Sequence, residues 1–269
     1  MNPNKALWEK GDFTRIAATM RESGEKIVES LGNVAGFHVL DLGCGDGTTA
    51  LPLARHGAKV TGIDIAQNLV DAGNRRVRDE GLQGIVFKIG DACHLQDVED
   101  HTFDLAISVF GAMFAPKPFD VAQELVRVTK PGGRIVMGNW IPNDPTFVSQ
   151  LLKISSAYTP PPPEGFISPM RWGMEADILE RFGQAGIPKE RITLEREVFL
   201  FSSKTQDPAV FIDNFIRYYG PTMNAVEAAQ KTNKAEELQR QLVDLAKSQN
   251  TTKAGTLIPA TFMRVTVSI

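Results

Sequence analysis

Between residues 37 and 141, short apolar runs alternate with amphipathic stretches. The runs FHVLDL (37–42), AKVTGIDI (58–65), GIVFKIG (84–90), FDLAISVF (103–110) and GRIVMGNW (133–140) are almost continuously apolar. That pattern predicts strands buried on both faces of a parallel sheet. Segment 67–80 sets Leu69, Val70, Gly73 and Val77 at helical spacing, and segment 118–130 does the same with Phe119, Ala122, Leu125, Val126 and Thr129. The tetrapeptide KPGG (130–133) should stop the second helix. Strands and helices in alternation, joined by short links, predict a doubly wound α/β fold with right-handed crossovers.

The pattern changes after Trp140. Residues 141–173 are rich in proline and aromatics, with one short helix expected near 145–156. Four consecutive prolines (160–163) favour a stiff extended segment over a helix. A helix near 173–184, a strand over 191–201, a long helical region over 207–249 and a last strand over 257–269 follow. That strand alternates Met263, Val265, Val267 and Ile269 with Arg264, Thr266 and Ser268, as expected of a strand with one covered face. One domain is expected, divided into N-terminal cap helices (1–36), a cofactor-binding core (37–140) and two lid or substrate insertions (141–173 and 205–253).

Composition narrows the function. The 269 residues are 42% hydrophobic and 23% charged, with net charge −3, so no basic surface for phosphate backbones is indicated. Two cysteines without a CxxC argue against zinc and disulfide scaffolds and suit a reducing cytoplasm. The N-terminus lacks the basic and apolar regions of a secretory signal. The longest apolar stretch, 103–116, is too short to span a bilayer and contains Asp104.

The stretch VLDLGCGDG (39–47) carries the chemistry. Its glycines stand at 43, 45 and 47, and Thr48 takes the place of the third glycine of a dinucleotide fingerprint. Asp41, two residues before the turn, would repel a pyrophosphate but favour a cation. S-adenosylmethionine, with its ammonium and sulfonium, is such a cation. The stretch resembles motif I of the class I S-adenosylmethionine-dependent methyltransferases, which have a Rossmann-like core. The segments WEKGDF (8–13), SVFGAMFAP (108–116) and SPMRWG (168–173) extend the similarity to a small-molecule subgroup related to the ubiquinone/menaquinone-biosynthesis C-methyltransferases.

The resemblance implies a mostly parallel seven-stranded sheet with its last strand antiparallel and with helical lid insertions. It also implies roles for residues. Backbone groups around Gly43, Cys44 and Gly45 hold the methionine part, and Asp41 supports its ammonium. Asp64 takes both ribose hydroxyls, and Ile65 packs on the adenine. Asp91 accepts from the adenine amine, the Ala92 N–H serves a ring nitrogen, and Ser108 lies near the methionine moiety. The product would be S-adenosylhomocysteine, and no metal is implied.

Methyl transfer is an in-line displacement that depends on positioning and on a water-shielded site. Phe13, Phe110, Met113, Phe114, Trp140, Tyr158, Trp172 and Tyr219 are the expected lid and substrate contacts. WEKGDF is expected to fold over the cofactor, with Gly11 letting the chain turn. No general base is apparent. Tyr158, Tyr219, Asp144 and His94 are the candidates, while His38, His56 and His101 fall at the wrong end of the sheet. The favoured reading is C- or O-methylation of a small, hydrophobic or aromatic acceptor, with no nucleic-acid partner: the (Asp/Asn)-Pro-Pro-(aromatic) signature of base-methylating enzymes is replaced by Ser108-Val109-Phe110-Gly111. An NAD(P)-dependent oxidoreductase and a non-catalytic methyltransferase-like binding module stay open as alternatives.

Overall fold

The apolar runs become inner strands because both faces are covered. In β1 (His38–Leu42) and β4 (Phe103–Val109), the residues Val39, Leu40, Leu105, Ala106 and Ile107 have no exposed surface. The computed structural model describes residues 4–269, so residues 1–3 of the expected N-terminal cap lie outside the described residues. The other strands are β2 (Lys59–Asp64), β3 (Ile85–Ile89), β5 (Thr129–Trp140), β6 (Ile192–Ser203) and β7 (Thr256–Ser268). They form one sheet in the order β3-β2-β1-β4-β5-β7-β6. The first five run parallel, and β7 is inserted antiparallel between β5 and β6.

Four expectations need correcting. The run 84–90 was expected to be buried, but it forms the edge strand β3, where Val86 and Ile89 are exposed and only Phe87 is buried. KPGG does not simply stop a helix. Thr129 already pairs with Phe103 and Arg134 with Leu105, so residues 130–133 bulge out of one continuous strand. The helix before it, Pro118–Val128, buries Val121, Ala122, Leu125 and Val128, while Phe119 and Val126 are half-buried. The strand β7 covers both faces in turn. Ile258, Ala260 and Phe262 are buried on one face of its first half, and Val265 and Val267 on the opposite face of its second half.

In chain order the helices are α1 (Asn4–Glu9), α2 (Thr14–Ala17), α3 (Arg21–Ser30), α4 (Ala50–Arg55), α5 (Gln67–Glu80), α6 (Pro118–Val128), α7 (Phe147–Ser156) and α8 (Glu175–Gln184). The long helical region expected over 207–249 consists of three helices: α9 (Pro208–Tyr218), α10 (Gly220–Lys231) and α11 (Ala235–Gln249). Pro221 cannot continue α9 and instead opens α10 in its first turn. Asn233, at φ 56°, breaks the chain again before α11. Helices α7, α9, α10 and α11 pack on one another, and α7 and α11 also pack on β7. Phe147, Phe211 and Phe215 there meet Phe201 of β6 ring to ring.

The loops after β1 and β4 touch backbone to backbone. A Cβ on Gly43 would lie 2.6 Å from the Gly111 Cα, and one on Gly111 would lie 2.2 Å from the Gly43 oxygen. Ser108 locks the same junction. Its hydroxyl donates to the Leu42 carbonyl at 2.6 Å and accepts from the Ala112 N–H at 2.9 Å. Gly111→Ala therefore forces two backbones apart. A stability loss of about 3 kcal/mol is expected, read as a lower urea midpoint with an unchanged m-value.

Candidate active site

An open cavity lies at the carboxyl ends of the central strands. This is where open α/β sheets bind ligands. Its walls come from Leu42–Asp46 after β1, Ile63–Ile65 at the end of β2, Gly90–Ala92 after β3 and Val109–Ala112 after β4. Asn4, Trp8, Phe13, Met20 and Phe114 line it from the N-terminal arm and the β4–α6 loop. A Cβ on Gly45 would meet nothing within 4 Å, and its φ is 55°. Gly45 thus leaves room on the cavity side, whereas Gly43 is a glycine because of its backbone neighbour.

Four carboxylates surround this loop, each held differently. Asp64 ends β2 in the cavity wall. Its Oδ2 accepts from the Gly45 N–H at 2.8 Å and its Oδ1 from the Ala66 N–H at 2.9 Å. Burial raises its pKa above the usual carboxylate value. Asp41 lies behind the wall, 1% exposed, and accepts from the Thr49 hydroxyl. Burial, added to by the Asp64 charge, pushes it up to about 7. Asp46 accepts from Arg21 of α3, and Arg76 of α5 donates to the Asp46 carbonyl at 2.8 Å. Asp91 lies in the wall, its Oδ1 accepting from the Cys93 N–H at 2.9 Å. Burial and the neighbouring carboxylates keep the Cys44 thiol protonated, which makes it an inert filler of the wall.

The arm carrying WEKGDF reaches over the cavity. The Glu9 carboxylate accepts from the Gln67 N–H at 3.1 Å, and Asn68 donates to the Gly11 carbonyl at 3.1 Å. Lys10 pairs with Glu227 of α10 at 2.7 Å. Gly11 lies at the bend between α1 and α2, and it also serves close approach: a Cβ on it would lie 2.2 Å from the Tyr218 carbonyl oxygen. The rings of Trp8 and Phe13 meet at 5.8 Å, and Trp8 meets Phe114 at 5.0 Å.

Gly43, Cys44, Gly45, Asp64, Ile65, Asp91, Ala92, Phe13, Phe110 and Phe114 are brought together in the wall. Asp41, Ser108, Met113, Trp140, Tyr158, Trp172, Tyr219, Asp144 and His94 are not among its lining residues. Asp144 receives the Thr146 N–H at 2.9 Å and Arg196 at 2.5 Å, so it anchors the start of α7. Trp172 is buried against Phe182 and under the Arg181 guanidinium, 4.5 Å from its ring centre. Tyr158 faces Glu237 of α11, and His94 is exposed. Tyr219 is one ring behind the wall, against Trp8 and Phe13. Sequence reasoning missed Asn4, Met20, Asp46, Thr48 and Leu69. Only Asp46, a charge between two glycines, carried a local signal. No group of three or more His, Cys, Asp or Glu side chains is arranged to hold a metal ion among the described residues.

The raised Asp41 value has a consequence for stability. An unfolded Asp titrates near 3.9, so between about pH 4 and pH 7 the folded chain binds more protons at this site than the unfolded chain. Stability must then fall as pH rises through that window, by about 1.4 kcal/mol per pH unit from this group. Asp41→Asn should flatten that part of the stability–pH curve in urea denaturation. An unchanged slope would assign it to another group.

A family model described as a methyltransferase domain matches residues 40–137. The uncharacterised Mycobacterium tuberculosis protein Rv1405c is 33% identical over 248 residues, covering 90% of this chain and 86% of its own. Sterol 4-C-methyltransferase strm-1 of Caenorhabditis elegans is 35% identical over 111 residues, 41% of this chain and 33% of that protein. In the fold, the chain is similar to a Haemonchus contortus phosphoethanolamine N-methyltransferase 2 solved with S-adenosylhomocysteine. The TM-score is 0.63 at 16% identity, covering 100% of this chain and 60% of that one. With the sheet order, the glycine loop and the carboxylate ending β2 in place, the chain belongs to the class I S-adenosylmethionine-dependent methyltransferases.

Proposed function

We propose that this chain binds S-adenosylmethionine in the cavity and methylates a small, apolar or aromatic acceptor at carbon or oxygen. The observation that carries this reading is Asp64. Its two oxygens are fixed by Gly45 and Ala66, and each keeps lone pairs for a further donor. That suits a vicinal diol. In this reading the space beside Gly45 takes the methionine part, and Asp91 and Ala92, both in the wall, meet the adenine edge. When bound, the cofactor supplies a methyl group activated on a positively charged sulfur.

This chain's residues position, shield and compensate charge. Asp64, Asp91 and, behind the wall, Asp41 provide a negative surround for a cation. Trp8, Phe13, Met20, Phe110 and Phe114 offer the acceptor side an apolar surface without an ionisable group. A wall without a base favours an acceptor with an acidic carbon, already ionised in water as its enolate, over an alcohol or a phenol that needs a protein base. The methyl acceptor named for the sterol enzyme is likewise a small hydrophobic molecule. Among the described residues no helix is long and apolar enough to cross a membrane. Both cysteines are free thiols, in keeping with a cytoplasmic setting.

Two measurements test the reading. Asp64→Ala should weaken S-adenosylhomocysteine binding by about 2–3 kcal/mol in calorimetry, through loss of charge-assisted hydrogen bonds. Unchanged affinity, or retention of NAD in place of S-adenosylhomocysteine, would sink it. A cation in the cavity also favours ionised Asp41, whose free-protein value is about 7. Binding of S-adenosylmethionine near pH 6.5 should therefore release protons and tighten as pH rises toward 8. Titrations in buffers of different ionisation enthalpy should show this release, and Asp41→Asn should abolish it.

A further inference from the structure

Phe110 holds its backbone where an aromatic side chain is rarely found. The described non-glycine residues of positive φ are His101, Phe110, Asn143 and Asn233, with Phe110 at 58°. Asparagine and histidine visit this region with small penalty, but a bulky ring there is an outlier that the surroundings must enforce. The enforcement is visible on both sides. The Phe110 N–H donates to the Gly138 carbonyl at 2.9 Å. The next residue, Gly111, is pressed on Gly43, and the Ala112 N–H is held by Ser108.

The ring then lies at a boundary. Phe110 forms part of the cavity wall. It stacks on Trp140 with centroids 3.5 Å apart and planes at 10°, and meets Phe199 and Phe262 edge to face at 5.0 and 5.4 Å. None of these three rings lines the cavity. Behind them the aromatic interior continues through Phe201 to Phe147. From β5, Gly138 faces the same rings: a Cβ on it would stand 3.4 Å from both Phe110 and Phe262, in ordinary contact with them.

Resting on the methyltransferase reading, we propose that Phe110 is a specificity-determining partition. It closes the cavity against the aromatic interior and so limits the acceptor to a short, flat, apolar molecule. Shortening this one side chain opens an apolar extension of the site toward Trp140, Phe199 and Phe262. A void lined by such rings stays dry and binds apolar molecules, so the prediction does not depend on knowing the natural acceptor.

The experiment compares the full chain with Phe110→Ala and Phe110→Gly, each saturated with S-adenosylhomocysteine. The probes are 4-methylphenol, 4-butylphenol and 4-hexylphenol, and binding is read by calorimetry. The wild-type protein should bind 4-methylphenol best. Phe110→Ala should bind 4-butylphenol at least ten-fold more tightly than the wild-type protein does. The same chain-length order in both proteins, or no binding of any probe to Phe110→Ala, overturns the proposal. Failure of the wild-type protein to bind S-adenosylhomocysteine overturns the cofactor reading instead. Loss of that binding in Phe110→Ala alone overturns the partition, since the residue would then shape the cofactor site. The strain has its own readout. Glycine accepts φ 58° and alanine does not, so Phe110→Gly should melt a few degrees above Phe110→Ala, and the reverse order overturns an enforced backbone. Should Phe110→Ala not fold, Phe110→Leu should show the same preference for 4-butylphenol in weaker form, and its absence overturns the proposal equally.

Discussion

Two backbones in contact set the geometry of this site. Where β1 and β4 end, Gly43 and Gly111 leave no space for a side chain on either, and the Ser108 hydroxyl ties the same ends through Leu42 and Ala112. The glycine loop cannot drift from the β4 loop without breaking this junction. Everything that forms the cavity is referenced to it: Gly45 on one side, Phe110 on the other, and Asp64 bridging from β2 through the Gly45 N–H. A site assembled from loop ends is accurate only if the loops are held, and here main-chain contact holds them, which is less compliant than side-chain packing.

The second constraint is charge. Asp41, Asp46 and Asp64 fall within one short region and are all buried. Three buried like charges without compensation would be very costly. The chain resolves this in three ways. Asp46 is paired with Arg21, Asp64 is given backbone N–H donors, and Asp41 is left with a hydroxyl donor and a raised affinity for protons. The residual negative character is confined to the part of the cavity suited to a cationic nucleoside. The aromatic side, from Trp8 to Phe110, is without charge in the wall.

Closure over the cavity comes from both ends of the chain. The N-terminal arm grips α5 through Gln67 and Asn68 and α10 through Glu227. The helices inserted between β6 and β7 stand behind it, with Tyr219 joining the rings of Trp8 and Phe13 to Phe215. The same aromatic continuity extends to Phe147, Phe201 and Trp140. The expected lid segment 141–173 contributes chiefly to this supporting layer. Its Trp172 turns away to shield Arg181.

The residues alone determined the parallel core, the strand count and the place of the glycine loop, since burial on both faces and close backbone approach leave local traces in composition. Asp64 and Asp91 were legible through the resemblance to a known motif, and each sits where a strand stops. Other features had no local trace. The edge position of β3 follows from sheet order, which is set by contacts far apart in sequence. Whether Asp41 and Ser108 would face the cavity or brace it depended on partners 8 and 66 residues away, Thr49 before α4 and Leu42 at the end of β1. The left-handed backbone of Phe110 arises only where Gly138, Gly43 and Trp140 converge. Local propensity records what a segment prefers by itself, and those positions are decided by what the rest of the chain allows it.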